Sequence, residues 1–236
     1  DPYGLYARRI LGLEALDPLE AELGAADRGN ALHDTLDEFL RAHPSGLLPP
    51  DAVTEFEALG EKHLGELLTA PAERAFWWPR FQRLARWFVA TENERRRAGA
   101  RLLASETSGA LTVGPSERPL RIEARADRID EIERGAWEII DYKTGRVPTN
   151  DELEALFAPQ LLREAAMAER GGFDKIKDKA RTVRLSYWQA NGLGDGGKVA
   201  EIKASEELVP AMVALVEKMA AHFAKPGTPY AALPWP

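Results

Sequence analysis

Between residues 102 and 145 the chain stops repeating apolar residues at helical spacing and alternates them instead. LLASETSGALTV (102–113), PLRIEARADRIDEIE (119–133) and AWEIIDYKTG (136–145) follow one another with turns at Gly114 and Gly135. Alternation broken by glycine turns predicts three strands in an antiparallel meander. Three strands need helices to cover them, and the flanking sequence supplies these. Before the meander, helical spacing predicts helices over about 28–43 (Leu32, Leu36, Phe39, Leu40), 52–68 and 72–98, the last with an aromatic stripe from Phe76 to Phe88 that reads mostly as core. After it, Thr149-Asn150-Asp151-Glu152 opens a helix through about 170 that Pro159 should kink. Strands at 181–190 and 198–203, a closing helix at 206–224 and an extended tail from Lys225 complete the pattern. The expected fold is α/β, a central mixed sheet flanked by helices with an N-terminal helical portion. At 236 residues it reads as one domain, 1–236, mainly helical over 1–100 and sheet-based over 101–236.

Composition narrows the chemistry. The chain has no cysteine, which excludes disulfides, thiolate zinc sites, a cysteine nucleophile and an iron–sulfur cluster held by cysteine. A metal must sit on oxygen or imidazole. The first residues lack the pattern of a secretory signal, so a cytoplasmic protein with no membrane partner is expected. The net charge of −7 gives no overall attraction to nucleic acid, so a nucleic-acid role needs a metal or a local basic surface. The chain opens on Asp1 without an initiator methionine, the expectation being a fragment of a larger protein.

The sharpest chemical signal lies in the meander. Asp141 and Lys143 stand two apart on one strand and so share a face, and a hairpin at Gly135 can bring Asp127 of the neighbouring strand beside Asp141. Paired carboxylates suit Mg²⁺ or Mn²⁺, which prefer hard oxygen ligands, and a lysine next to such an ion can orient water and stabilise developing negative charge. The chemistry implied is hydrolysis. GLGDGGK (192–198) imitates a phosphate-binding loop, but Val199 stands where serine or threonine is required, and KVAEIK reads as a strand rather than a helix. It is expected to be a hairpin turn. With four histidines and no Gly-x-Ser-x-Gly elbow, a hydrolase triad has no support.

IIDYKTG (139–145) is similar to the Asp-Tyr-Lys-Thr core of the PD-(D/E)XK nucleases of the RecB-like branch. ARADRID (124–130) resembles the strand that precedes it there, with Ala124 in place of glycine; GNALHDTLDEF resembles the branch's histidine helix, and PQLLREAAMAERGGF its glutamine helix. The opening DPYGLYARRILGLEALDPLEA resembles the start of the C-terminal nuclease domain of the AddB family, helicase–nuclease subunits that process double-strand breaks. The resemblance implies a restriction-endonuclease-like core and a Mg²⁺- or Mn²⁺-dependent DNA exonuclease of the bacterial cytoplasm. It implies metal ligation by His33, Asp127, Asp141 and the Tyr142 carbonyl, with Lys143 handling water and Gln160 positioning lysine or substrate. The partners implied are DNA, as single-stranded ends, the helicase portion of the same protein, and a partner helicase–nuclease subunit. Some AddB proteins hold an iron–sulfur cluster; here Asp1 stands where one cysteine is expected, and no cluster can form. The alternative is a catalytically silent scaffold or strand-binding domain that keeps the fold.

Neighbouring residues carry plainer expectations. Asp130 reads as structural or salt-bridged, with Arg128 pairing to it or to a strand neighbour; Glu106 and Glu123 lie on strands where either can stand just behind the site, Glu123 reading rather as a solvated strand residue. Arg95-Arg96-Arg97 with Arg101 reads as a solvated helix end rather than a phosphate contact.

Overall fold

In a computed structural model, residues 2–13, 24–203 and 205–231 are described. Helix α1 (Pro2–Arg9) is followed by α2 (Ala25–Ala42), α3 (Ala52–Leu64), a 3-10 turn (Gly65–Leu68) and α4 (Pro71–Arg97). Strands β1 (Arg101–Val113), β2 (Leu120–Glu133) and β3 (Ala136–Lys143) then form the expected meander. Helices α5 (Asn150–Glu154) and α6 (Gln160–Arg170) lead to β4 (Thr182–Gln189), β5 (Lys198–Glu201) and α7 (Ser205–Phe223).

The strands make one five-stranded sheet in chain order. Every neighbouring pair is antiparallel except β3 and β4, which are parallel and therefore need a crossover; α5 and α6 provide it. One core, around Phe39, Phe56, Phe81 and Phe88, packs α2, α3 and α4 against Ile140, Tyr142 and Trp188 of the sheet. The second packs α6 and α7 against the other face through Ile129, Ile139, Leu161, Leu185 and Met212.

Local chemistry explains the ends that matter. Asp27 accepts a hydrogen bond from the Gly24 N–H at 2.7 Å and places a negative charge at the α2 N-terminus. Thr149 and Glu152 form the expected reciprocal cap of α5. The single kinked helix expected over 149–170 is instead two: α5 stops after one turn, Leu156 turns left-handed (φ +57°) and Pro159 stands as the cap before α6. Proline offers no N–H to the preceding turn and disfavours helical geometry in the residue before it, so the break completes itself. GLGDGGK forms the loop between β4 and β5, as expected of a hairpin. At Gly192 (φ +66°) a Cβ would sit 2.3 Å from the Arg80 carbonyl, and at Gly196 (φ +116°) 2.4 Å from that of Arg83. Glycine is needed here for close packing on α4, not for phosphate.

Candidate active site

The site forms where β1, β2 and β3 pass beneath α2 and α6. The ladder between β2 and β3 ends at Arg128–Ile140; next along β2, Asp127 accepts from the Tyr142 N–H at 2.9 Å. On β1, Glu106 falls between the pairs Ser105–Arg128 and Thr107–Ala126, which sets it across from Asp127. Glu106 has φ +44°, unusual for a residue with a side chain, and Lys175 donates to the carbonyls of Ser105 and Glu106 at 2.9 and 3.1 Å. His33 reaches in from α2. Its Nδ1 lies 3.5 Å from Asp127 and 3.7 Å from Glu106, and its Nε2 lies 3.1 Å from the Tyr142 carbonyl oxygen. Ligand atoms of His33, Glu106 and Asp127 all lie within 4.8 Å of one another.

Asp141 and Lys143 share a face, as their spacing requires, and both meet Gln160 at the start of α6. The Lys143 ammonium lies 2.7 Å from Asp141 Oδ2 and donates to Gln160 Oε1 at 3.1 Å; the Gln160 amide donates to Asp141 Oδ1. Lysine, aspartate and glutamine thus close a three-membered ring of hydrogen bonds.

The electrostatics are those of a site crowded with anions. Burial opposes a charge on His33, yet hydrogen bonds and charge from Asp127 and Glu106 outweigh it and hold the imidazolium up to about 10. Burial and the neighbouring Asp127 raise Asp141 to about 6 against the pull of Lys143. One turn beyond Gln160, Glu164 is fully buried, and among the described residues neither of its oxygens finds a hydrogen-bond partner. Burial, then the charges of Asp141 and Asp127, push it up to about 9, so at neutral pH it is a neutral acid.

The sequence model of the PD-(D/E)XK nuclease superfamily matches residues 2–234. The chain belongs to this superfamily. It is 30% identical to an uncharacterized protein of Rickettsia conorii over 178 residues, 74% of this chain and 21% of that protein. It is equally 30% identical to an uncharacterized protein of Rickettsia felis over 193 residues, 79% of this chain and 22% of the other. The chain therefore spans about a fifth of the length of the curated relatives it matches. The mixed sheet between helices is the restriction-endonuclease-like α/β fold.

PD-(D/E)XK nucleases use divalent metals, and the donors gathered here fit one. Carboxylate, carbonyl and imidazole are hard or intermediate ligands, and His33 drawing a proton so strongly marks a place where several acceptors demand a cation. Of the residues singled out from sequence, His33, Asp127 and the Tyr142 carbonyl meet in one cluster, and Asp141, Lys143 and Gln160 form the ring beside it, Asp141 standing outside the His33–Glu106–Asp127 group. Of the two extra glutamates, Glu106 comes in. Glu123 does not: it is exposed and paired with Arg121 at 2.9 Å. Glu164 carried no sequence signal beyond its place four residues after Gln160.

The basic run differs from expectation. Arg95 pairs with Asp130 and Glu138 at 2.5 and 2.6 Å, Arg96 pairs with Glu92 at 2.6 Å, and Arg101 pairs with Glu131. Arg97 and Arg101 keep the expected exposed position, Arg101 with Glu131 beside it at the surface. Arg128 is buried and bonded to Asp130, as expected, and also to Glu92. Among the described residues no helix is long and apolar enough to cross a membrane.

Proposed function

We propose that this chain is a metal-dependent DNA exonuclease domain of the RecB-like branch, of the AddB type, spanning residues 1–236 within a longer protein. The observation that carries the reading is the ring of Lys143, Asp141 and Gln160 beside the Asp127–His33–Tyr142 carbonyl cluster. In this reading His33, Asp127, Asp141 and the Tyr142 carbonyl hold Mg²⁺ or Mn²⁺, with Glu106 in reach as a further ligand. The bound ion supplies Lewis-acid polarisation of the scissile phosphate and a lowered pKa for attacking water.

The side chains do the rest. Asp141 and Gln160 fix the Lys143 ammonium in one orientation, so its charge is in place before negative charge develops on the phosphate. Lys143 positions water for in-line attack; the new bond joins the water oxygen to phosphorus, and the bond to the 3′ oxygen breaks. The products are a 5′ phosphate and a 3′ hydroxyl. We assign the chain to single-stranded ends in double-strand-break processing, in the bacterial cytoplasm, fed by a helicase portion of the same protein and a partner helicase–nuclease subunit.

The test is degradation of end-labelled single-stranded DNA with Mg²⁺ or Mn²⁺, beside an EDTA control and Lys143→Ala. Metal-dependent loss of label that disappears in Lys143→Ala supports the reading. Metal binding by calorimetry without cleavage points to dependence on the helicase partner, and no metal binding points to the silent scaffold.

A further inference from the structure

A cavity of about 170 Å³ opens where α2, the start of α4 and the turn after β3 meet. Its position is set by the site's own neighbours: Leu32 precedes His33, and Thr144 and Gly145 follow Lys143, all three lining the cavity. Its floor is apolar, from Leu32, Leu64, Phe81 and Leu84. One wall is the half-buried Trp77, with the Arg28 guanidinium 4.6 Å and that of Arg80 5.0 Å from the ring centre. The Gly192 loop closes the far side.

Those features point to one kind of guest. An apolar cavity of about 150 Å³ takes up benzene, so this volume suits a flat ring system and little more. Indole and guanidinium planes are surfaces on which rings stack regardless of sequence, and arginine also offers a forked donor for phosphate. An apolar slot with two cations at its aromatic wall therefore complements a base carried on a phosphodiester chain. A duplex keeps its bases stacked inside; a single strand can turn one out.

Resting on the nuclease reading, we propose that this pocket receives one unstacked nucleobase of a single-stranded substrate beside the scissile phosphate. The base takes a place over the Trp77 ring that a guanidinium holds in the free protein, and the displaced Arg80 turns to a flanking phosphate. The strand is thereby anchored on the α2–α4 side of the sheet, from which Thr144 and Gly145 lead back to Lys143 on the α6 side.

The experiment measures binding of a fluorescent single-stranded deoxyoligonucleotide by anisotropy in EDTA, using a set of oligonucleotides with one abasic site moved along the strand. One abasic position is expected to raise Kd roughly 5- to 150-fold, the worth of a single base–aromatic stack. Trp77→Ala should weaken the intact strand by a similar factor and erase that position's penalty, and Trp77→Phe should restore most of it. Arg80→Ala, at the half-buried guanidinium stacked on Phe76 and Trp77, should reduce the slope of log Kd against log salt by about 0.7, one single-strand phosphate contact. Thermal melts of each variant report folding separately. A flat abasic scan, or a penalty that persists in Trp77→Ala, overturns the pocket. If the same wild-type preparation still cleaves with Mn²⁺, only the pocket has failed; if it neither binds the strand nor cleaves and calorimetry finds no metal bound, the nuclease reading fails with it.

Discussion

On the α4 side of strands β2 and β3, Glu92, Asp130 and Glu138 meet Arg95, Arg96 and Arg128 with almost no access to solvent; on the α6 side, Asp127 and Asp141 face Lys143, Gln160 and the unpaired Glu164. Two strands thus carry two polar clusters, one on each face. In the first, the cations are guanidiniums, which never lose their charge. Burial works against ionised Glu92, yet Arg128 and Arg96 hold it down to about 2. In the second, the balancing cations are a proton on His33, a half-buried Lys143 and the exposed Arg125 on Glu106. A cluster neutralised by fixed charges braces the sheet, whereas one neutralised by a removable proton is ready to exchange it for a metal.

The largest expected effect breaks the braced side. Arg128→Met removes the one fully buried guanidinium between Glu92 and Asp130 and leaves them to Arg95 and Arg96 at the rim, a loss of up to about 3–5 kcal/mol. Urea and thermal unfolding should show it as a Tm fall of roughly 6–20 °C. If stability barely changes, the network is not what holds β2 and β3 to α4.

Next comes Lys143→Ala on the active side, with the opposite signature. Cleavage should fall on the order of 10²- to 10³-fold, typical for deleting one preorganised electrostatic group, while Tm stays within a degree or two and calorimetric metal binding persists. Equal losses of Tm and activity would make Lys143 a brace like Arg128.

Glu164 sharpens the comparison because burial and its anionic neighbours outweigh the little that Gln160 and Arg163 offer its charge. Its folded pKa of about 9 stands above the ordinary 4.5, so between these values the native state keeps a proton that the unfolded chain has lost. Stability therefore falls as pH rises through that window, by about 1.4 kcal/mol per pH unit from this group. Glu164→Gln removes the titration, and in EDTA the variant should gain on wild type by about 2–3 kcal/mol between roughly pH 6 and 8. A constant difference across pH would mean that Glu164 is ionised when folded.

What sequence made legible was local. Asp141 and Lys143 had to share a face because strand side chains repeat every two residues, and Asp130 had to oppose Asp127 for the same reason. The order of histidine, aspartates, lysine and glutamine placed Gln160 in the site through a family resemblance. Glu123 reads from sequence as a solvated strand residue and is one, but Glu106 could not be placed beside Asp127 because that turns on β1–β2 register and on its own left-handed backbone, neither of which is written locally. Arg95 and Arg96 looked like a solvated helix end because their carboxylate partners arrive from distant strands and from the helix's own buried side. Glu164 resembled any helix glutamate; only its burial under the sheet distinguishes it.

The smallest effect concerns His33 and separates the clusters most cleanly. In the metal-free protein His33 holds its proton to about 10 against an ordinary 6.5, so a divalent ion that takes this place must expel it. Apparent affinity for Mg²⁺ or Mn²⁺ should rise about tenfold per pH unit between roughly pH 7 and 9, with close to one proton released per ion. Calorimetry in two buffers of different ionisation enthalpy measures that proton directly. His33→Gln has no proton to give, so its metal affinity should be weaker and nearly flat over the same range, leaving only the titration of Asp141 near pH 6. An unchanged slope in His33→Gln would place the exchanged proton elsewhere and remove His33 from the ligand set. On the α4 face no such experiment exists, because a guanidinium network has no proton to trade for a metal.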